Sequence, residues 1–251
     1  MEEPAKPKLN RLSDFQEILE TYSPSQSSID SFRSTVSLFV IGTTGSGRNT
    51  LIEELLETGG YYFVRSNTTR PRRMHNGRLE HNGEFYWHIT EDEFLNGLKE
   101  GLYLEAAIIH KQQVSGSIVT EYQNAGSQGL VAVTDIEGIY GPETMRRYNP
   151  KAHFVFILPP VFPEWMARWE KRGQLPPEER HQRLLTSQEE LKIALGRDYY
   201  SLIISGDLAH NVDLVKNIVE SEQHILTGQD VAKVHAEALL VAIDKELAAT
   251  S

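Results

Sequence analysis

Residues Thr35–Thr50 read TVSLFVIGTTGSGRNT, an apolar strand-like run that breaks into a glycine-rich turn and then opens a helix. Gly42, Gly45 and Gly47 fall where a phosphate-cradling loop of the G-x-x-x-x-G-K-[ST] type needs them. Small residues let successive backbone N–H groups curl around a polyphosphate, and the helix N-terminus behind them adds positive potential. Two chemical positions are substituted. Arg48 stands where the motif has lysine and Asn49 where it has the magnesium-ligand hydroxyl, with Thr50 one step later. The bland alternative is a strand-to-helix turn that binds nothing, and the substitutions keep it open.

Outward from this loop, strand and helix patterns alternate. Apolar strand candidates lie at Val36–Ile41, Tyr61–Val64, Leu130–Thr134, His153–Leu158 and Ser201–Ile204. Helical patterns lie at Asn49–Glu57, Glu91–Lys99, Ser117–Ala125, Pro142–Tyr148, Pro163–Lys171, Pro177–Leu195 and Asn211–Glu222. Such alternation predicts an α/β fold, a parallel sheet covered on both faces. The polar, Arg-rich stretch Arg70–Trp87 does not fit and reads as hairpins or loops inserted at the ligand-bearing edge.

The first 34 residues read as an extension: a short helix around Phe15, Ile18 and Leu19, with Ser13 and Gln16 at capping-box spacing, then a serine-rich flexible linker from Ser23 to Ser31. Residues 226–251 read as an amphipathic helix with Val231, Val234, Leu239, Leu240, Ile243 and Leu247 as its stripe. That helix either docks on its own domain or joins two chains as a homodimer, and docking is the commoner outcome.

Bulk numbers narrow the classes. The 251 residues, 39% hydrophobic and 24% charged, suffice for one substantial core or a core plus a small mobile part. A net charge of -10 argues against a nucleic-acid coat, while leaving small phosphorylated ligands open. With no cysteine there is neither a disulfide scaffold nor a thiolate metal site. Apolar runs are far short of a membrane span and the N-terminus has no signal-peptide pattern, so the expectation is a soluble, cytoplasmic protein.

Phosphoryl transfer needs several cations to stabilise equatorial charge. Thr68-Thr69-Arg70-Pro71-Arg72-Arg73 supplies one group; Arg168, Arg172 and Arg183, flanking a loop at Gly173–Pro177, supply another. Arginine suits both, since its fork holds two phosphate oxygens. Asp135 and Glu137 follow an apolar run, at the carboxyl end of a strand, where open parallel sheets bind ligands; a helix cap is the alternative for either. The histidines form no site, and Trp87, Trp165 and Trp169 read as packing residues.

Taken in order, these stretches resemble a guanylate kinase, from about Val36 to about Glu222. Ser66-Asn67-Thr68-Thr69-Arg70-Pro71-Arg72 resembles the family's S-x-T-T-R-x-P-R segment for the acceptor phosphate, one residue shorter. Gly83-Glu84-Phe85-Tyr86 with Asp92-Glu93-Phe94 is similar to G-x-x-Y…D-E-F, which implies that Tyr86 contacts that phosphate. Leu104-Glu105 is similar to the family segment whose glutamate accepts from guanine N1 and the amino group, and Gly116-Ser117 to its serine or threonine beside the base. Asp135-Ile136-Glu137 resembles D-I-D, Phe156–Pro160 a strand ending in two prolines, and Arg172-Gly173, Glu178-Glu179 and Arg183-Leu184 the lid. Ile204-Ser205-Gly206-Asp207 stands for V-N-D-D. In departures, Val114 and Ser115 replace a tyrosine pair, and Ser205 replaces the asparagine associated with adenine.

The resemblance implies a P-loop kinase three-layer fold over residues 35–225, with an acceptor-binding insertion at about 66–118 and a lid at about 168–184. It implies ATP with Mg2+ on Gly42, Thr43, Thr44, Gly45, Ser46, Gly47, Arg48, Asn49 and Thr50, with Ser205 nearby and Asn49 and Asp135 as weak metal ligands. GMP or dGMP would meet Ser66, Arg70, Arg72, Arg73, Tyr86, Glu105, Ser117, Asp135 and Glu137, while Arg48, Arg168, Arg172 and Arg183 steady the transferring group. The alternatives are a binding or scaffold module on the same fold, which Arg48 and Asn49 favour, and a kinase for another nucleoside monophosphate, which the lost tyrosines favour.

Overall fold

The computed structural model describes residues 8–75, 77–136, 138–171, 173, 175–221 and 229–249. In chain order the elements are α1 (Leu12–Glu20), α2 (Gln26–Arg33), β1 (Ser37–Gly42), α3 (Arg48–Glu57), β2 (Tyr61–Phe63), β3 (Ser66–Thr68), β4 (Met74–His75), β5 (Arg78–Leu79) and β6 (Tyr86–His88). There follow α4 (Glu91–Lys99), β7 (Tyr103–Ile109), β8 (Gln113–Ile118), α5 (Val119–Ser127), β9 (Val131–Asp135), α6 (Gly141–Tyr148) and β10 (His153–Leu158). The chain ends in α7 (Phe162–Lys171), α8 (Pro177–Gly196), β11 (Tyr200–Ile204), α9 (Leu208–Glu220) and α10 (Asp230–Ala249). Two compact units result: Met1–Thr35 with Tyr62–Ala132 and Arg147–Pro150, and Val36–Tyr61 with Val133–Arg146 and Lys151–Ser251.

The second unit is built on a five-stranded sheet in the order β11-β10-β1-β9-β2. Strand β1 pairs parallel with β10, Val40 against Val155, and β10 parallel with β11, Val155 against Ser201. Leu38, Phe39, Val40 and Ile41 are all fully buried, which is why β1 reads as a continuous apolar run instead of an alternation. Phe39 stacks on Phe154 at 5.2 Å, tying the two central strands together side chain to side chain. Helix α10 packs against α8, α7 and β11. Its buried face is Ala232, Ala236, Leu239 and Ile243, whereas Val231 and Val234 are exposed. The expected stripe therefore holds at Leu239 and Ile243, while Ala232 and Ala236 are buried in place of the expected Val231 and Val234.

The first unit surrounds a four-stranded sheet in the order β6-β3-β8-β7. Here the sequence expectation needs three corrections. Ser23–Ser31 is not a flexible linker: Ser25 caps a helix by accepting from the Ser28 N–H, and α2 follows with Phe32 buried. Ser13 does not cap α1 either; the N–H groups of Asn10 and Arg11 donate at 3.0 and 2.8 Å to the Glu91 carboxylate, an acceptor from 80 residues away that no local pattern reveals. Ser117 lies in β8, not at the start of a helix, and α5 begins at Val119. Strand β7 and its hairpin were invisible because the turn carries His110 and Lys111 at φ 51° and 58°, with no glycine or asparagine to mark it.

The core of this unit gathers Leu9, Phe15, Phe94, Leu95, Leu98, Tyr103 and Val114. Phe94 stacks on Tyr103 at 4.2 Å and Phe15 meets Phe94 edge-on at 6.0 Å. Among the described residues, no helix is long and apolar enough to cross a membrane. Phe15 is fully buried, so Phe15→Ala is expected to cost about 3–5 kcal/mol in denaturant unfolding, where a value within 1 kcal/mol of wild type contradicts its place in this core.

Candidate active site

The loop after β1 is shaped by close contacts inside the second unit. A Cβ on Gly42 would lie 2.5 Å from the Ile157 carbonyl oxygen, so only glycine lets β1 turn there beside β10. Gly45 has φ +83°, and a Cβ on it would strike the Trp169 indole nitrogen at 2.8 Å. The reason for that proximity is a clamp. The indole N–H groups of Trp165 and Trp169 both donate to the carbonyl oxygen of Thr44, at 2.8 and 2.9 Å. Both tryptophans are almost wholly buried on α7, so they pack as the sequence suggests and also hold the loop, which it does not.

Two hydroxyls in the loop, Thr43 Oγ1 and Ser46 Oγ, are buried and have no hydrogen-bond partner among the described residues. Leaving such groups unpaired costs about 1–3 kcal/mol each, and anionic phosphate oxygens are suited to relieve it. Helix α3 opens directly afterwards at Arg48, bringing the unpaired amides of its first turn. The site therefore fits a polyphosphate on its own geometry.

The cations are arranged unevenly. Arg48 Nη1 lies 3.7 Å from Asp135 Oδ2, so the loop cation faces the carboxylate at the end of β9. Arg168 Nη1 donates to Ser205 Oγ at 2.9 Å while Nη2 holds Glu164 at 2.9 Å. Ser205 Oγ in turn lies 3.4 Å from where a Cβ on Gly47 would stand, so Arg168 and Ser205 meet beside the loop. Arg183 instead pairs with Glu179 one turn away on α8. Arg172 and Glu137 lie outside the described residues. Asn49 and Thr50 are exposed on the first turn of α3. Among the described residues, no group of three or more His, Cys, Asp or Glu side chains could hold a metal ion. The Asp135 carboxylate already faces Arg48 and Asn49 is exposed, so Mg2+ at this loop would take most of its ligands from phosphates and water.

In the first unit, the Arg70 segment folds around a residue that sequence reasoning missed. Glu80 is buried, accepts from Arg70 Nη2 at 3.1 Å and from the Arg73 N–H at 2.9 Å, and faces His88 Nε2 at 3.5 Å. The Arg70 hydrogen bond, together with the Arg73 amide, holds the Glu80 carboxyl below the ordinary glutamate range. Arg70 also lies over the Tyr86 ring, 5.3 Å from its centre, and its carbonyl accepts from His88 Nδ1 at 2.7 Å. Arg72 and Arg73 extend into solvent, and Ser66 is paired with Tyr86 across β3 and β6. Glu105 and Ser117 are register partners on β7 and β8, and the Ser117 hydroxyl donates to Glu105 Oε1 at 2.7 Å. The sequence sign of Glu80 is slight: it is one of two acids, with Glu84, in a basic stretch, and no spacing rule marks it.

A parallel sheet whose central strand ends in a glycine loop and a helix defines a P-loop nucleotide-binding fold. Residues 34–222 match the family model described as guanylate kinase. The guanylate kinase of Thermotoga maritima is 31% identical over 192 residues, 76% of this chain and 89% of that protein. That of Syntrophotalea carbinolica is 31% identical over 205 residues, 80% of this chain and 90% of that protein. The solved guanylate kinase of Anaplasma phagocytophilum, 22% identical, aligns with a TM-score of 0.54 over 83% of this chain and 94% of its own, which supports the fold. The chain belongs to the guanylate kinase family.

Two predictions follow from the geometry. Trp169→Phe keeps an aromatic side chain, though a smaller one, and removes one donor from Thr44, so ATP affinity measured by calorimetry is expected to weaken about three- to tenfold, the scale of one hydrogen bond; unchanged affinity contradicts the clamp. Because Glu80 titrates lower folded than unfolded, its contribution is complete above about pH 4.3 and fades as pH falls through its folded value. The thermal-stability margin of wild type over Glu80→Gln is therefore expected to stay level above about pH 5 and to narrow as pH falls from there toward about pH 3, and a constant margin contradicts the Arg70 pairing.

Proposed function

We propose that this chain is an ATP-dependent nucleoside monophosphate kinase, moving the γ-phosphoryl group of ATP to GMP or dGMP to give GDP or dGDP. The observation that carries the reading is the pair of orphaned hydroxyls in the glycine loop, Thr43 and Ser46, in a chain of the guanylate kinase family. ATP takes the amides and hydroxyls of Gly42–Thr50, and its accompanying Mg2+ supplies charge neutralisation between the phosphates. Arg48 and Arg168, beside the loop, offer charge to the equatorial oxygens, and Arg172 and Arg183 are the lid's contribution in this reading.

For the acceptor, a carboxylate is the group that reads guanine, because guanine presents two adjacent N–H donors at N1 and the 2-amino group. Glu105 meets that requirement, and the Ser117 hydroxyl on Oε1 restricts its rotation. Arg70, Arg72, Arg73 and Tyr86 serve the monophosphate, with Glu80 fixing the Arg70 fork. Adenine lacks the N1 proton, so Glu105 would face an acceptor there and AMP would be rejected. No general base is needed, since a loose phosphoryl transition state asks for positioning and charge. A scaffold that has lost nucleotide handling is less well supported, because such a module has no use for buried unpaired hydroxyls in a phosphate loop.

The test is a coupled assay with ATP and GMP, AMP, UMP or CMP. GMP turnover well above the others is expected; no turnover with any of them at high enzyme concentration overturns the proposal. Glu105→Ala is expected to lower GMP turnover far more than ATP binding, and equal losses contradict its role. Arg48→Ala is expected to lower turnover on the order of a hundredfold, the scale of one charge-stabilising donor; near-wild-type turnover means the needed charge comes from elsewhere.

A further inference from the structure

The family match begins at residue 34, yet residues before it build the unit that carries Glu105. Leu9 and Phe15 are in its core, with Ile18, Leu19 and Tyr22 packed against them. At one place the contact is polar and specific. Strand β7 is the end strand of its sheet, so among the described residues no strand lies beside its outer edge. The Tyr22 hydroxyl takes that place: it accepts from the Tyr103 N–H at 2.9 Å and donates to the Tyr103 carbonyl at 2.7 Å. One hydroxyl thus satisfies both edge groups of one residue, which requires a side chain that donates and accepts.

The position matters. The pairing of β7 with β8 shifts register between Tyr103 and Glu105. Such a shift bends a strand and re-aims the side chain beyond it, and a strand with a free edge can slip. Two residues earlier the Gly101 carbonyl accepts from the Ser25 N–H at 2.9 Å and the Ser28 hydroxyl at 2.8 Å, again from the extension. On the inner side, Tyr103 stacks on Phe94 and its phenol accepts from Asn67 Nδ2 at 2.9 Å. Tyr103 is therefore gripped by backbone and ring, and Glu105 is the next polar side chain out.

We propose that Tyr22 is a positioning residue for base recognition: its hydroxyl locks β7 at the register shift, so that the Glu105 carboxylate stays aimed at the N–H donors of a purine. The N-terminal extension is then a built-in part of acceptor selection. This rests on Glu105 reading the base as set out above. Burial pushes the Tyr22 phenol up to about 12, so it keeps its proton, and both of its hydrogen-bonding roles, throughout the working pH range.

Tyr22→Phe in the full chain tests it. The expected result is a rise of about tenfold in KM for GMP, with kcat and KM for ATP within about twofold of wild type. The preference for GMP over AMP narrows by a similar factor, which loss of stability alone would not produce. In a Glu105→Ala background, Tyr22→Phe is expected to change nothing further, because the two act through one interaction. Should Glu105→Ala itself leave GMP kinetics intact, the reading of Glu105 fails and this proposal with it. Should Glu105→Ala be damaging while Tyr22→Phe is silent, or equally damaging in both backgrounds, this proposal alone is overturned. If Tyr22→Phe does not fold, hydrogen exchange of the wild-type protein decides: the Tyr103 amide is expected to be protected and to slow further with GMP, and exchange at the unprotected rate or indifference to GMP overturns the proposal.

Discussion

The carbonyl oxygen of Thr44 is the point on which the unit that carries the glycine loop depends. It accepts two indole N–H groups at once, from Trp165 and Trp169, and a carbonyl committed in this way is not available to repel a phosphate. The clamp dictates its neighbours: Gly45 can carry no side chain because Trp169 occupies the space, and Gly42 can carry none because β10 does. Four fully buried apolar residues in β1 hold the loop's root rigid, and α7 supplies the clamp from the segment that follows β10. A loop pinned at both ends and along its middle presents its amides and hydroxyls without reorganising, which is the property a polyphosphate site needs.

The other unit is organised by carboxylates instead. Glu80 gathers the Arg70 side chain and the Arg73 amide; Glu91 caps α1; Glu93 closes a capping box with Thr90; and buried Glu121 takes the Arg65 N–H at 3.0 Å and the Tyr62 phenol at 3.2 Å. An acidic chain of net charge -10 can thus contain an arginine-rich segment, since part of its acid is spent holding arginines and backbone amides in place. Arg70 shows the balance most clearly. It is 8% exposed, and the Glu80 carboxylate on Nη2 and the Pro71 carbonyl on Nη1 offset its desolvation.

Legibility in the sequence followed the reach of each interaction. Strands β1 and β10 were readable because both of their faces are buried, so hydrophobicity alone marks them; His153–Leu158 and Glu91–Lys99 were located to the residue. Glycine spacing marked the turn from β1 into α3, and resemblance alone singled out Glu105 and Ser117, which the fold makes hydrogen-bonded register partners. Several unreadable features depended on a distant partner or on a turn that lacks the usual residues. The cap of α1 comes from Glu91, the hairpin of β7 and β8 turns on His110 and Lys111 without glycine, and Glu80 acts through an arginine ten residues away. The indole clamp was hidden for a different reason: a tryptophan on an amphipathic helix looks like packing until its N–H is followed to the acceptor.

The most direct measurement is a crystal structure grown with a non-hydrolysable ATP analogue, Mg2+ and GMP. The account predicts phosphate oxygens within hydrogen-bonding distance of Thr43 Oγ1, Ser46 Oγ and the amides from Gly45 to Arg48, with the Thr44 carbonyl still held by Trp165 and Trp169. A loop left empty at saturating analogue, with those hydroxyls turned to protein partners, would contradict it.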